Sequence, residues 1–425
     1  MPLSATRHGL AALLAAQFLS ALADNALLIV AIALLQDRGL PPWWAPLLKI
    51  GFNLAYVLLA PLVGPLADGR CKARWMGWMN GLKLAGAGAL LLGLDPVAAF
   101  AIVGLGAAAY APAKYGLLTE LVPPAHLVQA NAWLEVSVVA AALLGAVLGG
   151  ALVHPALLHS APALALQQGL QAWLSPLQLW TGDRVAPALA LLLPLYGLAG
   201  LANLAVPASG ARYPQTAALH PRALWRDFRS ANRRLWADGD GGLSLAVTTL
   251  FWGLGATLQL AVLRWSEQVL GLTLSQAAPL QAAIGLGVVL GAWAAGRWVP
   301  LAAARRMLGC GVLLGLLMPL LAQQRSLPLV AALLVLAGAV GGLMVVPLNA
   351  LLQHRGHQLL SAGRSIAVQG FNENASVLAM LGVYALLLHA GLDIARIITL
   401  FGLGIAAAMA WLAWRAPGAA GRVSA

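Results

Sequence analysis

The chain has 425 residues, of which 61% are hydrophobic and only 9% charged, with a net charge of +12. Its apolar residues come in runs of about twenty separated by short polar stretches, the pattern of an all-α protein that crosses a membrane many times. That excludes an ordinary soluble domain arrangement, and the grouping of the basic residues into alternate loops points away from nucleic acid.

The first predicted span covers residues 9–36 and contains QFLSALADNALL, Gln17 to Leu28, in which Asp24 and Asn25 lie side by side. From Leu10 to Leu35 there is no other charge. At about 1.5 Å per residue this run crosses a hydrocarbon core of about 30 Å, which puts Asp24 near the midplane. A carboxylate at that depth costs roughly 2.5–3.5 kcal/mol, so it is expected to face a bundle interior or a watered cavity. Gln17, Ser20 and Asp24 share one helical face and read as a wall of a polar path. The start of the chain has the look of a signal peptide after Arg7, but the apolar residues continue past Asp24 and predict an uncleaved helix.

Eleven further spans are predicted near residues 46–67, 75–94, 96–118, 131–153, 185–206, 243–263, 277–299, 304–323, 327–352, 363–389 and 391–414. Both termini then lie on one side. That side collects seventeen basic residues, including Arg7, Arg212 and Arg422, against five on the other (Arg38, Arg184, Arg264, Arg325, Arg396), and is expected to be cytoplasmic. Cys71 and Cys310 fall on the same side, where thiols stay reduced, so no disulfide is expected. Residues 1–207 and 243–425 form two halves of six spans, joined by a linker at 208–242. In the linker Arg222, Arg226, Arg229 and Arg233 oppose Leu224, Phe228, Ala231 and Leu235. Such a helix suits either an anionic inner leaflet or a solvated connection. The long outer segment 154–184, with Trp173 and Trp180, reads as an interfacial helix. Trp43, Trp44, Trp75, Trp265 and Trp298, near span ends, suit an interfacial belt.

The loop after the second span reads GPLADGRCKAR, with Gly64, Asp68, Arg70, Lys72 and Arg74. It resembles the loop signature of the major facilitator superfamily, which implies an Asp and basic residues latching helix ends in one conformation; the glycine usual before the final basic pair is missing here. In the third span Asn80 and Lys83 are a weaker pair, explained equally by a lysine reaching toward a helix end. In the fourth, Lys114 lies one turn from Tyr110, beside Pro112 and small alanines, and offers a cation for a phosphate. Pro112, Lys114 and then Asn131, Glu135 recur as Pro347, Asn349 and then Asn372, Glu373 in the second half, a short match that fits a parallel half-repeat. Glu135, Asn349 and Glu373 are expected to gate the inner side, Lys114 pairing with Glu373 or Glu135; the alternative is that the two glutamates bond neighbouring helices through Asn131 and Asn372. Gly145 with Gly149 and Gly287 with Gly291 have the spacing of close helix contacts.

Seven blocks in order extend the resemblance: QFLSALADNALL, NGLKLAGA, GAAAYAPAKYG, ANAWLEVSVVAAALLG, LFWGLGATLQ, VVPLNALLQHRG and SIAVQGFNENASVLAMLG. They are similar to the bacterial lysophospholipid transporter family of the major facilitator superfamily. The resemblance implies a twelve-helix inner-membrane flippase carrying lysophospholipids, chiefly lysophosphatidylethanolamine, from the outer to the inner leaflet. It also implies a functional partner, an acyltransferase with acyl-carrier-protein synthetase activity, acting at the cytoplasmic face. Asp24, with Asn25, would meet the substrate ammonium and Lys114 its phosphate. The sequence departs from the family pattern at Gln259, where relatives can carry an arginine; Arg264, five residues on, is the candidate replacement. A proton-coupled exporter of small amphiphiles on the same fold, with Asp24 as the proton site, is the alternative. The eight histidines show no metal-ligand spacing, and neither a phosphate-binding loop nor a Ser/His/Asp set is present, so no catalytic residues, cofactor or metal are expected.

Overall fold

The computed structural model describes residues 3–41, 44–179, 181–211, 213, 220–272 and 274–415. Trp43, Trp180, Arg212 and Arg422 lie outside the described residues, and for Arg7 only the helix is described. All regular structure among the described residues is helical: α1 (Leu3–Asp37), α2 (Trp44–Asp68), α3 (Lys72–Leu91), α4 (Pro96–Leu121), α5 (Leu127–Leu152), the short α6 (Pro155–Leu158), α7 (Ala161–Leu174), α8 (Ala186–Ala202), α9 (Pro221–Ala237), α10 (Gly239–Leu270), α11 (Leu274–Trp298), α12 (Leu308–Ala322), α13 (Leu327–Leu359), α14 (Ala362–His389) and α15 (Ile394–Arg415). The twelve predicted spans correspond to α1–α5, α8 and α10–α15. Eleven of these are long and apolar enough to cross a membrane; α3 falls short because it carries Lys72, Arg74, Asn80 and Lys83 in 20 residues.

The chain forms two compact units. The first is made of Met1–Pro123, Ser137–Ala231 and Leu360–Phe371, the second of Pro124–Val136, Asn232–Leu359 and Asn372–Ala425. The helices that follow the two matched segments, α5 and α14, therefore each contribute to both units. Leu27, Val30, Leu34, Leu90, Phe100 and Leu189 centre the first core, and Val247, Trp265, Met318, Val330, Met344 and Ile397 the second.

Local chemistry sets the helix ends. The Asp95 side chain accepts the Ala98 N–H at 2.9 Å with Pro96 in the first turn, and Asp238 accepts the Gly241 N–H at 2.7 Å. α10 stops at Gly271, whose φ of +66° suits glycine. In the first unit Arg38 grips Asp183 through two hydrogen bonds at 3.0 and 2.7 Å, tying α1 to the segment before α8. Burial raises the Asp183 carboxyl, but the hydrogen bonds from Arg38 and Thr181 outweigh it and hold the group below the usual carboxylate range.

Glycines set the helix spacing. A methyl on Gly145 or Gly149 of α5 would run into the backbone carbonyls of Leu22 and Ala26 in α1, and one on Gly287 or Gly291 of α11 into those of Val335 and Ala339 in α13. Neighbouring backbone on that scale cannot give way as a side-chain tip does. Gly291→Leu is therefore expected to abolish recovery of monodisperse protein in detergent, whereas Gly404→Leu, with open space at its Cβ, leaves recovery unchanged.

Two expectations are corrected. The apolar stripe of α9 does not lie on a leaflet: Leu224, Phe228, Ala231 and Leu235 are all buried in protein, and the Phe228 ring packs edge-on against Phe371 at 5.2 Å. The arginines occupy the exposed face, so an amphipathic pattern here reports a protein groove. Trp75 and Trp265 are not interfacial anchors either; both are buried, and their ring N–H groups donate to the carbonyls of Ala109 and Ala322.

Candidate functional site

In the first unit the polar residues of α1 and α3 meet in mid-span. Lys83 Nζ donates to Asp24 Oδ2 at 2.6 Å and to Ser20 Oγ at 2.9 Å. Ser20 in turn donates to Asn80 Oδ1 at 2.7 Å, and the Tyr196 hydroxyl from α8 donates to Asp24 Oδ1 at 3.0 Å. The Lys83 ammonium also lies 5.1 Å from the centre of the Tyr110 ring in α4. Both Asp24 oxygens are engaged, yet its side chain keeps 15% of its surface accessible against 3% for Lys83. A buried pair of this kind stands only while both charges are present. It can also open to a ligand that brings one charge of each sign, since such a ligand replaces each partner by an equivalent.

The sequence placed Asp24 correctly in mid-helix but undervalued Lys83, whose position twelfth of the 20 residues of α3 was the available signal. Tyr196 carried no such signal, because its hydroxyl reaches Asp24 across 172 residues of sequence. Tyr110 is buried, and its hydroxyl has no hydrogen-bond partner among the described residues. Asn25 is turned back on its own helix, donating to the Ala21 carbonyl at 2.8 Å. Lys114 is buried with its ammonium 4.2 Å from the Tyr115 ring centre.

A second cluster gathers round Asp68, which is fully buried. Its carboxylate accepts hydrogen bonds from the Ser361 hydroxyl, the Gly363 N–H at 2.8 Å and the Arg364 N–H at 3.1 Å, so it caps the start of α14 from a distant point in the chain. Gly64 and Gly363 permit this approach, since a Cβ on Gly64 would meet the Arg364 Cα at 2.9 Å. The cation beside Asp68 is Lys72, at 3.5 Å, which also pairs with Glu120 of α4 at 2.7 Å. Arg70 instead stacks on Trp75 at 4.7 Å, and Arg74 is exposed. Tyr213 closes the cluster by donating to Glu120 at 3.2 Å; burial, with the charge and hydrogen bond of Glu120, raises its hydroxyl above the usual range.

In the second unit Asn131 and Gln353 form a reciprocal amide pair at 2.9 and 2.8 Å, which Asn349 joins at 3.3 Å. Glu135 is buried and Glu373 half-buried, in the second unit, whereas Lys114 belongs to the first. Asn372 bonds Asn232 at 2.9 Å and the Trp236 ring N–H at 3.1 Å. Gln353 was not anticipated; it lies four residues past Asn349 on the same face of α13. Gln259 is exposed and its carbonyl accepts from Gln281 at 3.0 Å. Arg264 lines an open cleft of about 260 Å³ with Glu267, Leu260, Leu263, Leu272 and Ala277.

Comparison with known proteins agrees with this architecture. The family model described as Major Facilitator Superfamily matches residues 13–372. The lysophospholipid transporters LplT of Yersinia pestis (strain Pestoides F) and Yersinia pseudotuberculosis serotype O:3 (strain YPIII) are each 40% identical over 392 residues, 92% of this chain and 89% of theirs. In fold the chain resembles the human organic anion transporter MFSD10, at a TM-score of 0.71 and 18% identity over 97% of this chain and 100% of that one. It likewise resembles the E. coli fucose:proton symporter FucP, at a TM-score of 0.73 and 15% identity over 96% of this chain and 98% of that one. The chain belongs to the major facilitator superfamily and, within it, to the lysophospholipid transporter family.

Proposed function

We propose that this protein carries lysophospholipids, chiefly lysophosphatidylethanolamine, from the outer to the inner leaflet of a bacterial inner membrane. Both termini are then cytoplasmic, and an acyltransferase with acyl-carrier-protein synthetase activity restores the missing acyl chain on that side. The observation that carries this reading is the Asp24–Lys83 pair, at 2.6 Å and partly accessible, in the middle of α1 and α3. A lysophosphatidylethanolamine head holds an ammonium and a phosphate. Its ammonium replaces Lys83 beside Asp24, and its phosphate takes Lys83 in exchange, so no charge is left uncompensated in a medium where that would be costly. Lys114, further along toward the cytoplasmic end of α4, offers the phosphate its next partner. Arg264 with Glu267 gives the second unit a matching pair of charges beside apolar side chains. Asp68, held against the start of α14, is the latch that must release during the cycle.

The test is uptake of fluorescent lysophosphatidylethanolamine by proteoliposomes of the purified protein, with and without an imposed proton gradient. Uptake is expected in both conditions from the wild type and in neither from Asp24→Asn. Movement of cationic drug-like amphiphiles on a pH gradient, without any movement of the lysolipid, would give the assignment to an exporter instead.

A further inference from the structure

Four lysines lie in the helices that match predicted spans, Lys49, Lys72, Lys83 and Lys114, and Lys72 is paired with Asp68 and Glu120. Lys83 is paired with Asp24, and Lys114 lies against the Tyr115 ring. Lys49 is different. It is the sixth residue of α2, exposed, and without an ion pair or hydrogen bond among the described residues. One turn on, Asn53 is half-buried and equally without a described partner. Polar side chains within a span normally find partners in the protein, water or a ligand, because lipid tails supply none.

The neighbouring stripe of α2 is the opposite in character. Ile50, Leu54, Leu58 and Leu62 recur at every fourth position, with 42%, 39%, 63% and 36% of their surfaces exposed. Successive helical residues are about 100° apart, so this ridge runs directly alongside the Lys49–Asn53 face. From Ile50 to Leu62 it extends about 18 Å along the helix. One helix thus carries a cation and an amide without partners among the described residues at one end and, next to them, a single long apolar ridge. That is the chemistry of an amphiphile with one anionic head and one tail.

Resting on the transport reading above, we propose that Lys49 and Asn53 capture the phosphate of a single-chain phospholipid, with the Ile50–Leu62 ridge bearing its acyl chain, before the head reaches Asp24 and Lys83. On the orientation proposed above, Lys49 lies in the outer third of its span, where such a substrate arrives.

The test is the concentration dependence of initial lysophosphatidylethanolamine uptake in proteoliposomes of the full chain. Lys49→Gln is expected to raise the half-saturating concentration roughly tenfold, the loss of one charge-assisted hydrogen bond, with the plateau rate kept; Asn53→Ala raises it about threefold and Lys49→Arg restores it. Monoacylglycerol, which has the tail but no phosphate, should compete equally well in wild type and Lys49→Gln. An unchanged Lys49→Gln beside an inactive Asp24→Asn overturns the capture site and leaves the transport reading standing. Lys49→Arg as impaired as Lys49→Gln overturns it too, because charge would then not be the cause. So does a Lys49→Gln protein that cannot be recovered folded, since an exposed side chain without partners does not hold a fold. A wild type that moves no lysolipid overturns the transport reading and the capture site with it.

Discussion

Lys83→Met is expected to cost about 3–5 kcal/mol of stability and to abolish lysolipid uptake, because it leaves the Asp24 carboxylate in mid-helix with, among the described residues, just the Tyr196 hydroxyl for a partner. Asp24→Asn is milder for folding, since the lysine keeps Ser20 and the Tyr110 ring, and equally severe for uptake. The informative protein is the double variant, Asp24→Asn with Lys83→Met. Removing both charges removes the penalty, so its thermal denaturation midpoint returns most of the way to wild type while uptake stays absent. A double variant as unstable as Lys83→Met alone would show that the two residues do not act as a pair. One that transports would remove them from the path.

Asp68→Ala is expected to cost about 3 kcal/mol or more, since a buried carboxylate that accepts from Ser361, Gly363 and Arg364 is replaced by a methyl group that accepts nothing. The loss should be local before it is global. Hydrogen exchange of the Gly363 and Arg364 amides is expected to rise at least tenfold, the equivalent of about 1.4 kcal/mol, with α1 and α3 unaffected. Ser361→Ala removes a single donor and costs about 1 kcal/mol. If exchange at Gly363 is unchanged in Asp68→Ala, the carboxylate is not what holds the start of α14, and the latch must be sought in Lys72 and Glu120 instead.

Much of the site was legible before any coordinates. Asp24 could be placed in mid-span by counting, because depth in a long apolar helix follows from rise per residue alone. Asp68 could be singled out because its loop carries a glycine and an acid at a recognisable spacing. What could not be read was the partner of each. The lysine that neutralises Asp24 is 59 residues away on another helix, and the helix end that Asp68 caps is 295 residues away. Arg70 and Arg74 looked like the cations of that loop, yet Lys72 fills the place because its side chain, at the start of α3, reaches back four residues to Asp68 at the end of α2. The linker left two readings open for a related reason: an apolar stripe on a helix says that something covers it and not whether that is lipid or protein.

By itself the sequence determined that the chain is a succession of long apolar helices and where they approximately begin and end, since these follow from hydropathy and helix rise, which are local properties. Only the tertiary structure decided which charges are spent on one another. Asp24 and Lys83 are paired, and Lys49 has no pairing among the described residues, because pairing depends on the azimuth of each helix about its own axis. That angle is set by packing against neighbours such as Leu22 on Gly145 and Ala26 on Gly149, contacts that span more than a hundred residues of chain.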